Sequence, residues 1–228
     1  MKLTFGIELE FVDIRTVFLR KHLPQGWECQ GDNSLQNTDG SWSLHSNPMA
    51  LGSEVKTQGG YELETLVAQL PGIYETVAGL GGTVNKTCGL HVHVGIEGST
   101  PDFILPLMRY FASSPSFGKA VGASAKRRGR QCMRITAKEV QMVAETIHDL
   151  DNLAKISARA PFQHVHLRQL EVNVLSLLHH GTVEYRAFNQ TMNPDLAINC
   201  IRYADEVTRA ALAGDLFPLP TYPLPEAL

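Results

Sequence analysis

Three runs of alternating side chains constrain this chain more than anything else in it. GIELEF at 6–11, GLHVHVG at 89–95 and TVEYRAF at 182–188 each set apolar residues against ionisable ones. Side chains of a strand point alternately to its two faces, so each run reads as a strand with one apolar side. The ionisable members are the unusual part. Glu8 and Glu10 share a side, as do His91 and His93, and Glu184 and Arg186. Like charges set side by side on a partly buried face repel unless something positive lies between them. A divalent cation with oxygen ligands, Mg²⁺ or Mn²⁺, meets that need. H-x-H is also a common metal-ligand spacing. Each pair has an ordinary reading as well: a solvated strand face, a packed histidine, a weak surface ion pair.

Periodicity and punctuation outline the rest. The first strand is expected over 3–12, with a short helix near 15–22. Short strands follow over 27–57, joined by the polar loop Gly31-Asp32-Asn33-Ser34 and ending at 53–57 with Glu54. Apolar residues at 63, 66, 67, 70, 73, 74 and 77 predict a helix over 61–79, stopped by Gly81-Gly82. Thr100 and Pro101 open a helix over 101–113. Thr136 with Glu139 has the capping-box pattern, for a helix running to about 158. Strands are expected near 170–177 and 182–189, joined by His179-His180-Gly181. Asn193-Pro194 opens a last helix to about 213. This mixture of hairpins and helices predicts one α+β domain over 1–213, with a mainly antiparallel sheet and flanking helices. The proline-rich tail 214–228 is expected to run extended over the surface.

Composition narrows the classes. The net charge of −3 gives no overall field to draw in nucleic acid or an acidic membrane. Cys29, Cys88, Cys132 and Cys200 form no C-x-x-C pair and are expected as reduced thiols. No secretory h-region opens the chain, and no apolar run nears the ~20 residues that span a bilayer. The expected location is cytoplasmic. The basic run Lys126-Arg127-Arg128-Gly129-Arg130 reads as a solvated loop, a phosphate-binding lid or a nucleic-acid patch. One basic pentapeptide in an acidic chain supports the last only thinly.

GIELEF at 6–11, GSEVKT at 52–57, CGLHVHVG at 88–95 and TVEYRAFNQT at 182–191 occur in that order. Together they resemble the amidoligase family, carboxylate–amine ligases in the group that includes glutamine synthetase and glutamate–cysteine ligase. The resemblance runs from residue 4 to about 192. It implies a curved antiparallel sheet forming a glutamine synthetase-like funnel, with divalent cations and ATP inside. It implies that ATP phosphorylates a carboxylate and an amine displaces the phosphate to leave an amide. Glu8 and Glu10 match the family's E-x-E strand, each on a different metal. His91 matches a metal-binding histidine, and His93 the next inward residue, nearer the nucleotide. Glu184 matches an acidic metal ligand. Arg186 matches an arginine that contacts substrate carboxylate or the moving phosphate. Glu54 matches an acidic residue with a metal-binding or catalytic role, although Lys56 stands where a small residue is usual. Asp32 and Ser34 resemble a D-x-S loop, for metal and nucleotide. Arg168 and Asn173 resemble a downstream pattern whose tyrosine is here Gln169, with Arg168 as a further catalytic candidate. Arg127, Arg128 and Arg130 would serve ATP phosphates from a lid, because an acyl phosphate must be kept from water. The implied partners are ATP and a small carboxylate and amine, or a peptide. Three rival readings remain. One is a zinc metallohydrolase using His91, His93 and a carboxylate. Another is a phosphotransferase of the same superfamily that forms no amide. The third is a nucleic-acid-binding module.

Overall fold

The computed structural model describes residues 2–43, 51–98, 101–113, 132–145, 165–215 and 222–226. Six strands make one sheet: β1 Leu3–Arg15, β2 Trp27–Gln30, β3 Leu51–Thr57, β4 Gly89–Ile96, β5 Val172–Asn173 and β6 Thr182–Asn189. Their order is β2-β3-β1-β4-β6-β5, and every pairing is antiparallel. The helices are α1 Thr16–Leu19, α2 Leu63–Gly79, α3 Ile104–Ser113, α4 Ala137–Ala144, α5 Val165–Arg168, α6 Ser176–His180 and α7 Pro194–Ala213. The architecture is α+β, as the alternation and helical spacing predict.

One face of the sheet builds the core. Phe5, Ile7, Leu9 and Phe11 of β1, Val55 of β3, Leu90, Val92 and Val94 of β4, and Tyr185 of β6 are buried there. Helices α2 and α7 cover that face. Tyr74 of α2 meets the Phe11 ring edge-on at 5.7 Å. Tyr185 Oη lies 2.7 Å from Thr208 Oγ1 of α7. The buried residues of α2 are Leu66, Leu70, Ile73, Tyr74 and Val77, the stripe read from the sequence. Its end is a Schellman motif. Gly81 takes φ +83, and the Gly82 and Gly81 amides donate back to the Val77 and Ala78 carbonyls. Val12, Leu35 and Cys88 form a small separate cluster. All four cysteines are buried, and none is in a disulfide.

The sequence expectations need correction in places. The first strand runs on to Arg15 through an irregularity after Phe11, with Asp13 at φ +60. Residues 170–177 are not one strand. Asn173 Oδ1 accepts the Leu175 amide at 3.0 Å. That local turn ends β5 after two residues, and α6 begins at Ser176. Gly181, at φ +66, then closes α6 and starts β6. Pro101–Phe103 is a 3₁₀ turn ahead of α3. Thr100, and residues 146–158 of the helix expected to start at Thr136, lie outside the described residues. Its capping box is present, and α4 follows from Ala137. In the tail, Asn189 and Asn199 side chains donate to the carbonyls of Pro225 and Pro223. Among the described residues, no helix is long and apolar enough to cross a membrane.

Candidate active site

The other face of the sheet gathers the ionisable side chains in cross-strand rows. Gln30, Glu54 and Glu10 are successive neighbours on β2, β3 and β1. Glu28, Lys56, Glu8 and His91 form a second row from β2 to β4. Gly6, His93, Glu184 and Asn173 form a third from β1 to β5. Directly opposed side chains stand about 4.5–5.5 Å apart, so the register makes neighbours of charges from both ends of the chain. A bulge in β6 finishes the arrangement. Val92 pairs with Tyr185, but Leu90 pairs with Phe188. The extra residue lets Glu184 and Arg186 face the site while Phe188 returns to the core.

Apart from Glu28 and Gly6, the residues of these rows line a cavity of about 380 Å³. It contains five carboxylates, Glu8, Glu10, Asp32, Glu54 and Glu184, against the cations Lys56, Arg168 and Arg186. Two groups present ligand atoms within 4.8 Å of one another: Glu8, His93 and Glu184, and Glu10, Asp32 and Glu54. His91 lies between the groups. Its Nδ1 is 2.8 Å from Glu8 Oε2 and its Nε2 is 3.9 Å from Glu10 Oε1. Among the described residues, the two convergent groups include His93 but not His91.

His93 is the most telling side chain. Its Nε2 is buried and finds no hydrogen-bond partner among the described residues. Yet Glu8 Oε1 is 3.2 Å away and Glu184 Oε1 4.0 Å. The three groups are close without being aimed at each other, as ligands aimed at a common point are. Behind the ring, Nδ1 lies 3.1 Å from Thr182 Oγ1, which lies 2.8 Å from Ser176 Oγ. Donation from Nδ1 along this pair leaves the Nε2 lone pair facing the cavity. Glu184 is held in a similar way. Asn173 Nδ2 donates to its Oε2 at 2.7 Å, and Arg186 binds its Oε1.

Proton affinities respond to the crowding. Burial raises Glu8, but the His91 hydrogen bond and the closeness of His93 overcome it and hold the carboxyl well below its usual range. Burial likewise raises Glu184, and Arg186 and the two histidines bring it below the ordinary value. Burial, with Arg186, lowers His91. Burial also lowers His93, but the close approach of Glu8 and the charge of Glu184 leave it raised. Glu54 is pushed up to about 7 by burial and by the Glu8 and Asp32 carboxylates, against Lys56 and the Gln30 hydrogen bond. The raised proton affinities of His93 and Glu54 are the response of a crowded set of carboxylates whose charge a cation would neutralise. The donor set, mostly hard oxygen with one imidazole, fits Mg²⁺ or Mn²⁺.

A family model described as a putative amidoligase enzyme matches residues 22–208. The chain belongs to this amidoligase family. Membership points to a ligase-type enzyme. No curated protein matches the chain. The matched span includes Asp32, Glu54, His91, His93, Glu184 and Arg186, whereas Glu8 and Glu10 precede it. Pairing of β1 with β3 and β4 brings Glu8 and Glu10 beside the matched residues. Among the other residues named from the sequence, Ser34 lines the cavity, and its amide donates to Asp32 Oδ1 at 2.7 Å. Arg168, exposed, reaches the cavity from α5. Arg127, Arg128 and Arg130 lie outside the described residues. Residues not singled out in the sequence join the site. Gln30 donates to Glu54 Oε1 at 2.9 Å, and Thr182 backs His93. Both alternate with residues already on the polar face, a signal that could have found them. His179 and His180, expected in a turn, line the cavity from α6; no strand periodicity marks them.

Proposed function

We propose that this amidoligase is an ATP-dependent carboxylate–amine ligase working through an acyl phosphate. The observation that carries the reading is the convergence of Glu8, His93 and Glu184 beside Glu10, Asp32 and Glu54 in one cavity. Those two groups would hold Mg²⁺ or Mn²⁺, which neutralise phosphate charge and polarise phosphoryl oxygens when bound. The funnel of glutamine synthetase-like ligases belongs to the same reading, as does the lid carrying Arg127, Arg128 and Arg130.

The chain's own residues position the reactants. Arg186, held against Glu184 and lining the cavity, would bind a carboxylate or the moving phosphoryl group, whose oxygens a guanidinium grips in pairs. Arg168 and Ser34 face the same space. First, an oxygen of the substrate carboxylate bonds to the γ-phosphorus of ATP. The bond to the bridging oxygen breaks and ADP leaves. Next, the amine nitrogen bonds to the acyl carbon and the carbon–oxygen bond to phosphate breaks. Starting from the ammonium form, one proton leaves on phosphate and one passes to solvent. Most of the rate comes from positioning and charge stabilisation, as in other phosphoryl transfers.

The test is ADP release with Mg²⁺-ATP across pairs of carboxylates and amines. Turnover should require both substrates, and Glu8→Gln or Glu184→Gln should abolish it while circular dichroism stays native. Near-normal turnover in either variant removes the metal assignment. Tight stoichiometric zinc with ATP-independent hydrolysis defeats the ligase reading, and phosphate transfer indifferent to added amine favours a phosphotransferase.

A further inference from the structure

Thr182 opens β6 and pairs with Gly95 of β4, two residues on from His93. Its side chain stands on the polar face, diagonal to the imidazole. Gly95 has no side chain to crowd that corner. A Cβ built there would run into Thr4 Oγ1 and stand 3.7 Å from Thr182 Cγ2. The Thr182 hydroxyl lies 3.1 Å from His93 Nδ1, and the buried Ser176 Oγ lies 2.8 Å behind it. The direction of this chain follows from the other ring nitrogen. Nε2 is buried and makes no hydrogen bond among the described residues, although Glu8 Oε1 is 3.2 Å away. A neutral ring with its proton there would bury a donor without an aligned acceptor, which is costly. With the proton on Nδ1, the ring donates to Thr182, Thr182 donates to Ser176, and the Nε2 lone pair faces the cavity.

We infer that Thr182 and Ser176 are positioning residues that give the Glu8, His93 and Glu184 group a preference for Mn²⁺ over Mg²⁺. This rests on the ion-site part of the proposed function and not on its ligase chemistry. Carboxylates hold both ions. Imidazole nitrogen separates them, because it suits transition ions while Mg²⁺ keeps to oxygen. His93 is the one nitrogen donor of the group. An imidazole becomes a better ligand when the proton on its other nitrogen is held, which fixes tautomer and ring orientation and raises basicity. The two hydroxyls do this for His93. Asn173, in the same hairpin, donates to Glu184 Oε2 at 2.7 Å. It supports an oxygen ligand, which both ions use, so discrimination falls to the hydroxyl pair.

Mn²⁺ binding to the full chain tests this, read from the paramagnetic resonance of the free ion, with Mg²⁺ measured by displacement. Thr182→Val keeps the branched shape and loses the hydroxyl. It should weaken Mn²⁺ by about 10–100-fold in one class of site and Mg²⁺ there by no more than about threefold. Thr182→Ser returns the hydroxyl and should restore the preference. If the valine variant does not fold, Ser176→Ala, which removes the end of the chain, gives the same comparison. The inference is overturned if the parent binds neither ion or shows no preference for Mn²⁺. It is overturned if the variant holds Mn²⁺ within about threefold of the parent, or if both ions weaken by the same factor, as a loosened fold alone would cause. Failure of serine to restore the preference also overturns it. A Mn²⁺ preference that collapses in Thr182→Val while no pair of substrates releases ADP retires the ligase reading and leaves Thr182 its role.

Discussion

Glu54 lies among carboxylates, with Asp32 in its own ligand group and Glu8 close enough to raise its proton affinity. Its carboxyl titrates near 7 in the folded metal-free protein and at 4.5 ordinarily. Between those values the unfolded chain loses the proton and the folded one keeps it, so stability falls as pH rises through the window. Glu54→Gln removes that loss. In chelator the variant should melt above the parent at pH 8, by on the order of 1–3 kcal/mol, and the advantage should vanish near pH 4. A melting difference independent of pH would contradict the assignment. Arg186 gives a second prediction at this scale. Arg186→Lys keeps the charge and loses the planar fork, so ligase turnover should fall at least about tenfold. Unchanged kcat/KM would rule out two-oxygen recognition. The charges themselves were legible in the sequence, since E-x-E, H-x-H and E-x-R mark one face of three strands. Lys56 was visible only as a departure from the family pattern. Its place beside Glu8 depends on which strands flank β3.

The elements differ in how far local sequence determines them. Helix α2 was readable because its stripe, its glycine stop and its length agree. Strand β5 was not, because the apolar run around Val172 and Val174 matches a longer strand. The Asn173 side chain breaks that run by capturing the Leu175 amide. The same asparagine donates to Glu184, so the break also places a second-strand contact on a metal-ligand candidate. Glu171 next to it is fully buried and accepts the Ile135 amide at 3.1 Å. It ties the segment before α4 to the strand pair that carries Glu184. Glu171→Ala would leave a buried backbone donor without that acceptor, and urea unfolding should show a loss of about 1–3 kcal/mol. A loss below about 0.5 kcal/mol, the scale of ordinary surface changes, would mean that this tie carries little. The β6 bulge is a comparable case. A strict alternation would send Phe188 to the polar face, and only the pairing with β4 reveals the extra residue.

At the scale of the whole molecule, five carboxylates in one cavity mean that the metal-free fold works against its own charge. A cation that binds only the folded state stabilises it by mass action, about 2.7 kcal/mol at a hundredfold excess over Kd. For a chain of this size each kcal/mol is worth about 2–4 °C. Mg²⁺ or Mn²⁺ should therefore raise the melting temperature by about 5 °C or more in calorimetry, and Glu184→Gln should abolish most of that rise. An unchanged midpoint with both ions would remove them from the site.

The sequence by itself determined the strand faces, the α+β class and the family, because alternation, helical spacing and ordered motifs are local properties of the chain. Tertiary structure alone decided which charges meet. Strand order and register place Lys56 between Glu28 and Glu8, and His93 between Gly6 and Glu184. Those choices come from pairing across the sheet, and the free energy that fixes them is stored in contacts between segments far apart in the chain.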